Sequence, residues 1–252
     1  MSNPFSLEGM NVLVTGASSG IGRQCAISCS QAGANVMLLA RNEERLNQTM
    51  SRLAAGNHAY YLLDLLDFEK YPETINQIVN ENGKISGLVH SAGIESTVPL
   101  NALKLHVYDE VYHTNVVACF ELIRLLSKKK YLGDNASFIG ISSVMGSVGQ
   151  KGILAYCASK AALMNGIKAL ALELAQKHIR VNSVSPAIVE TEMVQNLFST
   201  MSEENKRLIE QEHPLGFGQP EDVANACIYL LSNAARWVTG SNLMVDGGYT
   251  AR

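Results

Sequence analysis

Tyr156 and Lys160 stand four residues apart in Tyr156-Cys157-Ala158-Ser159-Lys160. On a helix that spacing puts both side chains on one face. A free phenol has a pKa of about 10, and a neighbouring ammonium lowers it by favouring phenolate. The pair therefore predicts an acid/base group that gives a proton to a carbonyl oxygen, or takes one from an alcohol, near neutral pH. The pattern recurs by chance, so it needs partners. Ser143 lies thirteen residues before Tyr156, where a hydroxyl can hydrogen-bond a substrate oxygen. Asn115 adds a polar group from inside a helical stretch, a place where asparagine is ordinarily a surface residue.

A second cluster lies near the start. Thr15-Gly16-Ala17-Ser18-Ser19-Gly20-Ile21-Gly22 follows an apolar run and opens a helical one. Glycine permits positive φ in such a turn and lets backbone approach a pyrophosphate. The helix start adds free N–H groups and a positive dipole end. About 20 residues further on, a carboxylate would select the ribose 2′-hydroxyl of NAD. Here Ala40 is followed by Arg41 and Asn42, and the first carboxylate is Glu43. Arg41 offers a charge-assisted fork to a 2′-phosphate, so the expected cofactor is NADPH.

The elements that must position these residues alternate along the chain. Strands are expected at Asn11–Thr15, Asn35–Ala40, His58–Leu63, Leu88–His90, Ser137–Ser142, Ile179–Val184 and Leu243–Val245. Helices are expected at Gly20–Ala32, Asn42–Leu53, Phe68–Asn80, Leu105–Lys129, Ala155–Lys177 and Glu221–Leu231. Short apolar runs without alternation indicate strands buried on both faces. Strands alternating with helices indicate right-handed crossovers. The expected fold is α/β: a Rossmann-type doubly wound parallel sheet of about seven strands, helices on both faces, in a single domain over residues 1–252. In such sheets ligands sit at the carboxyl ends of the strands, and Ser143 follows one of them. Residues 190–219 break the rhythm with Pro214, Gly216 and Gly218. That polar stretch reads as a mobile flap covering the substrate.

Composition narrows the partners. The 252 residues are 47% hydrophobic and 17% charged, with net charge −3. The chain has apolar material for a full core and no basic excess for nucleic acid. The cysteines Cys25, Cys29, Cys119, Cys157 and Cys227 form no CxxC pair. Cys25 and Cys29 read as core residues, which favours a reducing compartment. No metal is expected, since His90, His106, His113 and His213 lack ligand spacing. The first ten residues carry no secretory pattern, and no apolar run approaches the roughly 18 residues of a membrane span. The cytoplasm is the expected location. Lys128-Lys129-Lys130 ends a helical stretch, where solvation and the dipole explain it; with Lys177 it could also dock an acidic carrier protein. The stretch Ala155–Lys177 is apolar on more than one face, which predicts a homo-oligomer.

Taken in order, Thr15–Gly22, Ser91-Ala92-Gly93, Asn115, Ser143, Tyr156, Lys160 and Ser185-Pro186-Ala187-Ile188-Val189-Glu190-Thr191 resemble the short-chain dehydrogenase/reductase family, over about Leu7 to Tyr249. The stretch around Arg41-Asn42-Glu43-Glu44-Arg45-Leu46 and the closing Gly247-Gly248 look like its 3-oxoacyl-acyl-carrier-protein reductase branch. The resemblance implies a catalytic set of Asn115, Ser143, Tyr156 and Lys160. In it Tyr156 is the acid/base and Lys160 lowers its pKa and holds the nicotinamide ribose. Ser143 polarises the carbonyl, and Asn115 holds a water in a proton relay. It implies cofactor contacts from Gly16, Ser18, Ser19, Gly20, Ile21, Gly22, Arg41, Asn42, Ser91, Ala92, Gly93 and Pro186. Asp64 would meet the adenine amino group, and Ile188 and Thr191 the nicotinamide amide. Members of the family commonly pair as dimers or tetramers.

Two positions depart from the family pattern. Ser91 stands where asparagine is usual, which puts support of the central sheet in question. Ala187 stands where glycine is usual, which restricts φ in the nicotinamide loop. The expected activity is NADPH-dependent reduction of a carbonyl, foremost a 3-oxoacyl thioester. The alternatives are a dehydrogenase of a sugar, polyol or steroid hydroxyl, and a non-catalytic NADPH-binding regulator.

Overall fold

The computed structural model describes residues 3–199 and 201–251, without the side chains of Met193, Asn196 and Leu197. Seven strands form one parallel sheet: β1 (Asn11–Thr15), β2 (Asn35–Ala40), β3 (Ala59–Leu62), β4 (Ile85–His90), β5 (Leu132–Ile141), β6 (Arg180–Pro186) and β7 (Asn242–Val245). Their order is β3-β2-β1-β4-β5-β6-β7. The chain reverses direction of travel between β1 and β4, where Thr15 pairs with His90. This switch point leaves a crevice at the strand ends.

The strands are apolar because both sheet faces are covered. Every residue of β4 is buried. Alternate side chains split between two cores. Val12, Val14, Val36 and Val89 pack under α1 (Gly20–Gln31) and α9 (Pro220–Leu231). Leu13, Met37, Leu88 and Phe138 pack under α3 (Tyr71–Asn82), α5 (Ala118–Leu126) and α6 (Leu154–Leu174). Cys25 and Cys29 lie in the first core, fully buried as expected.

Three elements differ from expectation. The stretch 105–129 is not one α-helix. It runs as α4 (Leu105–Tyr112), a π-helical segment His113–Val117, and α5, which ends at Leu126. A π turn widens the helix locally and is frequent at functional sites; this one carries Asn115. Lys128-Lys129-Lys130 therefore lies in a turn beyond the helix. β5 begins five residues early, because Asn135 takes φ 51 and the chain still meets Ile85 through Leu132. Residues 190–219 contain two helices, α7 (Glu192–Ser199) and α8 (Glu203–Gln211). Ser202 caps the second by accepting the Asn205 N–H, a signal present in Ser202-Glu203-Glu204. A bridge between Val189 and Gly218 closes the base of the excursion. The remaining helix, α2 (Glu43–Met50), is capped by Asn42, whose side chain accepts the Arg45 N–H.

Candidate active site

A cavity of about 800 Å³ runs along the carboxyl ends of the strands. At one end its wall is the turn after β1. Gly16 has φ +65 and Gly20 φ +50, left-handed values that glycine adopts without strain. A Cβ on Gly22 would stand 2.3 Å from the Gly16 carbonyl oxygen, so only glycine lets α1 start this close to the strand. The first turn of α1 holds no acidic residue, and Ser19 makes no side-chain cap. The positive end of the helix is thus left for an anion. Arg41, Asn42, Arg45 and Asp64 line the far wall. Arg41 Nη1 lies 3.4 Å from Asp64 Oδ2 in an exposed pair. This shape and charge suit a dinucleotide: a glycine cradle and helix end for pyrophosphate, cations for further phosphate, and a carboxylate for a base.

At the other end lie Ser143, Tyr156 and Lys160. Tyr156 and Lys160 project from the first turns of α6. Lys160 is buried, and its Nζ donates to the Ile141 carbonyl at 2.9 Å. It stands 5.5 Å from the centre of the Tyr156 ring. Burial pulls the ammonium down to about 8. The phenol moves opposite to the sequence expectation. Burial pushes Tyr156 up to about 12, the Ser143 hydroxyl offsets this in part, and the Glu95 carboxylate adds to the rise. The physical reason is that desolvation disfavours phenolate, while the Lys160 ammonium, which donates to the Ile141 carbonyl, stands 5.5 Å from the ring centre. At neutral pH the phenol keeps its proton.

Asn115 does not line the cavity. It is fully buried behind it. Its Nδ2 donates to the Ile94 carbonyl and to Ser159 Oγ, both at 3.0 Å, and its Oδ1 accepts the Ile94 N–H at 2.8 Å. Ser159 Oγ in turn donates to the Tyr156 carbonyl at 2.7 Å. The amide thus clamps the loop after β4 to the first turn of α6. Gly93 makes room for this: an added Cβ would lie 3.1 Å from Asn115 Oδ1 and 3.4 Å from Lys160 Nζ.

The other expected residues meet at one surface. Gly16, Ser18, Ser19, Gly20, Ile21, Gly22, Ser91, Ala92, Gly93, Pro186, Ile188 and Thr191 all line the cavity with Arg41, Asn42 and Asp64. The link between β1 and the turn after β4 comes from Thr15. Its Oγ1 accepts the Ala92 N–H at 3.2 Å and lies 3.1 Å from His90 Nδ1. Among the described residues only Asn135 and His178 are non-glycine residues with positive φ. Ala187 therefore turns the chain after β6 at negative φ, within the range alanine allows.

Several residues of the site carry no local motif. Arg45 lines the cofactor end one helical turn beyond Arg41, a spacing that could have marked it. Phe198, Met201, Ile209, His213 and Tyr249 line the substrate end. His213 is buried, stacks near Tyr249 at 4.8 Å and Phe217 at 5.1 Å, and receives the Ile188 N–H at 3.5 Å. Glu192 on α7 pairs with Arg23 at 3.3 Å and Arg45 at 3.7 Å. The basic run is not brought to the site. Lys177 Nζ donates to the Ser127 carbonyl, at the amino end of β5. That is about 20 Å from its carboxyl end at the usual rise per residue, since β5 from Leu132 to Ser137 spans only Ile85 to Gly87 of its neighbour. Among the described residues no helix is long and apolar enough to cross a membrane.

Comparison with known proteins bears on the same residues. A family model described as Enoyl-(Acyl carrier protein) reductase matches residues 16–250. The chain is 34% identical over 245 residues to a 3-oxoacyl-(acyl-carrier-protein) reductase of Thermotoga maritima, covering 96% of this chain and 98% of the relative. It is 31% identical to a D-threitol dehydrogenase of Mycolicibacterium smegmatis, covering 98% and 95%. A solved structure from Agrobacterium tumefaciens, described as a candidate 2-deoxy-D-gluconate 3-dehydrogenase with bound NADP, superposes with TM-score 0.88 at 32% identity, covering 100% of both chains. With its glycine turn, Tyr156 and Lys160 on one cavity, the chain belongs to the short-chain dehydrogenase/reductase family and is an NAD(P)-dependent oxidoreductase acting on CH–OH groups.

Proposed function

We propose that the chain reduces a ketone to a secondary alcohol with NADPH, and that Tyr156 is the general acid. The observation that carries this reading is the meeting of Ser143, Tyr156 and Lys160 on one cavity with the glycine turn. NADPH, when bound, supplies the hydride to the carbonyl carbon. Tyr156 gives its phenolic proton to the carbonyl oxygen as the C=O π bond opens, so an alcohol forms and the phenol is left as phenolate. Ser143 holds that oxygen and orients it towards the phenol. Lys160 keeps a positive charge beneath the reacting oxygen, stabilising the phenolate that forms. Asn115 holds the Tyr156 turn in place through Ser159. Ser18, Ser19, Ile21 and the three glycines would hold the pyrophosphate, and Ser91, Ala92, Gly93, Pro186, Ile188 and Thr191 the nicotinamide half.

Preference for the phosphorylated cofactor is supported by Arg41, Asn42 and Arg45 at the adenosine end and by the NADP in the Agrobacterium structure. The substrate that the full-length Thermotoga relative supports is a 3-oxoacyl thioester, free or on an acyl-carrier protein. That reading does not lean on the remote basic run. A second reading, a polyol or sugar ketone, is favoured by the carboxylates at the substrate end, Glu95 and Glu212, and by the threitol relative. Residues 190–219 cover the substrate, since Phe198, Met201 and Ile209 border the cavity. The chain works in the cytoplasm as a single domain and a homo-oligomer. α4 packs beside α6, and Leu105 (82%) and Leu172 (80%) stand exposed there. Sedimentation at micromolar concentration tests the assembly: a purely monomeric species counts against it.

The activity is tested by following NADPH consumption with an acetoacetyl thioester, tetritol-derived ketones and simple ketones. Wild type is compared with Tyr156→Phe. Turnover that survives in the phenylalanine variant overturns the general-acid assignment. NADPH binding without turnover on any carbonyl supports the regulator reading instead.

A further inference from the structure

The loop that follows β4 reaches the substrate end and is held at two points. Asn115 clamps the Ile94 backbone from both sides. Four residues later the Val98 N–H donates to the Gly152 carbonyl at 2.7 Å. Glu95 lies between these anchors and lines the cavity with Tyr156, Gln150 and Ile153. One of its carboxylate oxygens accepts the Thr97 hydroxyl at 3.2 Å. The other has no protein partner among the described residues. Its negative charge reaches the Tyr156 phenol, where it favours the protonated form.

The charges around the cavity are unevenly placed. Among the described lining residues the cations are Arg41 and Arg45, at the adenosine end, and Lys160, which is committed to the Ile141 carbonyl. Among the described lining residues the substrate end carries Glu95 and Glu212 as carboxylates, with Lys160 beside the Tyr156 ring as its cation. Glu95 is exposed, so an anionic group on the Glu95 side of the substrate would meet a like charge that solvent screens in part but does not remove. A hydroxyl there would meet the carboxylate oxygen that Thr97 leaves open, and hydrogen bonds to charged groups are the stronger kind.

We propose that Glu95 is a specificity-determining residue: its carboxylate accepts a hydroxyl donor carried beside the reacting carbonyl, selecting uncharged hydroxyketones and turning away keto acids. This rests on the carbonyl-reductase reading and names the substrate class within it. A plain 3-oxoacyl thioester offers Glu95 no donor and gains nothing from it. The hydroxyketone gains affinity in both ground and transition states, and loses it when the acceptor is removed.

The experiment measures kcat/KM with NADPH for acetoin, butanone, acetoacetate and an acetoacetyl thioester. Wild type, Glu95→Gln and Glu95→Ala are compared, with Tyr156→Phe as the control. In wild type acetoin is expected to exceed butanone by roughly tenfold or more. In Glu95→Ala the two converge to within about twofold, and in Glu95→Gln acetoacetate gains about threefold relative to butanone as the screened repulsion is removed. The same acetoin-to-butanone ratio in wild type and both variants overturns the proposal and leaves the reductase reading standing. A wild type that prefers the thioester and is indifferent to the hydroxyl also overturns it. Failure to reduce any of the four carbonyls overturns both readings together.

Discussion

The two ends of the cavity are built by different means. The cofactor end comes mostly from consecutive residues on one turn, Gly16 to Gly22, whose backbone conformations and helix dipole do the binding. The substrate end comes from side chains on the β4 loop, the stretch before α6, α7, α8 and the chain's last residues. Arginines paired with Asp64 and Glu192 line the first end, and Glu95, Glu212 and the buried Lys160 the second. A backbone cradle tolerates few changes and takes one kind of ligand. A wall assembled from distant side chains can be altered residue by residue, so it is where substrate choice resides.

The comparison is broken most severely at Tyr156. Tyr156→Phe removes the proton donor and leaves the cradle intact, so kcat falls by about 10²–10⁴ while NADPH titration is unchanged. A drop in NADPH affinity of the same size would show that the two ends are not separable.

Acid tests the floor between the ends. His90 is buried, its Nε2 has no hydrogen-bond partner among the described residues, and burial and Lys160 pull its pKa down to about 3. The folded value lies below the unfolded one, so the unfolded chain takes the proton first. The stability from neutral His90 is present above about pH 6.5 and is lost as pH falls through 3, by about 4–5 kcal/mol. Urea denaturation between pH 7 and 4 checks this. His90→Gln should flatten the slope, and an unchanged slope would remove His90 from the account.

Gly22→Ala attacks the cradle alone. Its Cβ has no room beside the Gly16 carbonyl, which should cost roughly 1–3 kcal/mol in stability. The cradle would shift and NADPH affinity would fall, while any remaining turnover keeps its substrate ranking. Thermal unfolding with and without NADPH separates the two effects. The smallest effect is expected at Arg41, whose side chain is 71% exposed. Arg41→Ala should reduce the preference for NADPH over NADH by about tenfold without changing kcat on a good substrate. A preference that stays whole would assign the phosphate to Arg45.

Above neutral pH the two reacting groups oppose each other. Lys160 has a folded pKa of about 8, below its unfolded value, so it adds stability as pH rises through the interval above 8. Tyr156 is held at about 12, above its unfolded value. Its contribution is full below the unfolded pKa and is lost as pH approaches 12. Reduction rates should decline above about pH 8 as the ammonium beneath the phenol loses its charge. A rate that stays level to pH 10 would deny Lys160 that electrostatic part.

Periodicity was enough to place every strand and most helices, because a strand buried on both faces must be apolar throughout and a crossover helix must cover it. The glycine turn was equally legible, since only glycine fits its φ values and close approaches. The π segment at Asn115 was not. It depends on what the helix meets, namely Ile94 and Ser159, and propensity holds no trace of that. The helices of residues 190–219 were missed because a polar stretch hid the apolar positions that face the cavity.

By itself the sequence determined the sheet, the glycine cradle, Arg41 after β2, and Tyr156 and Lys160 one turn apart, all features set within a few residues of one another. Only the tertiary structure decided that Asn115 is a buried clamp, that the phenol keeps its proton, and that Glu95 faces the same cavity. Burial, and distance between residues far apart in the chain, exist only once the elements have packed, and protonation follows burial.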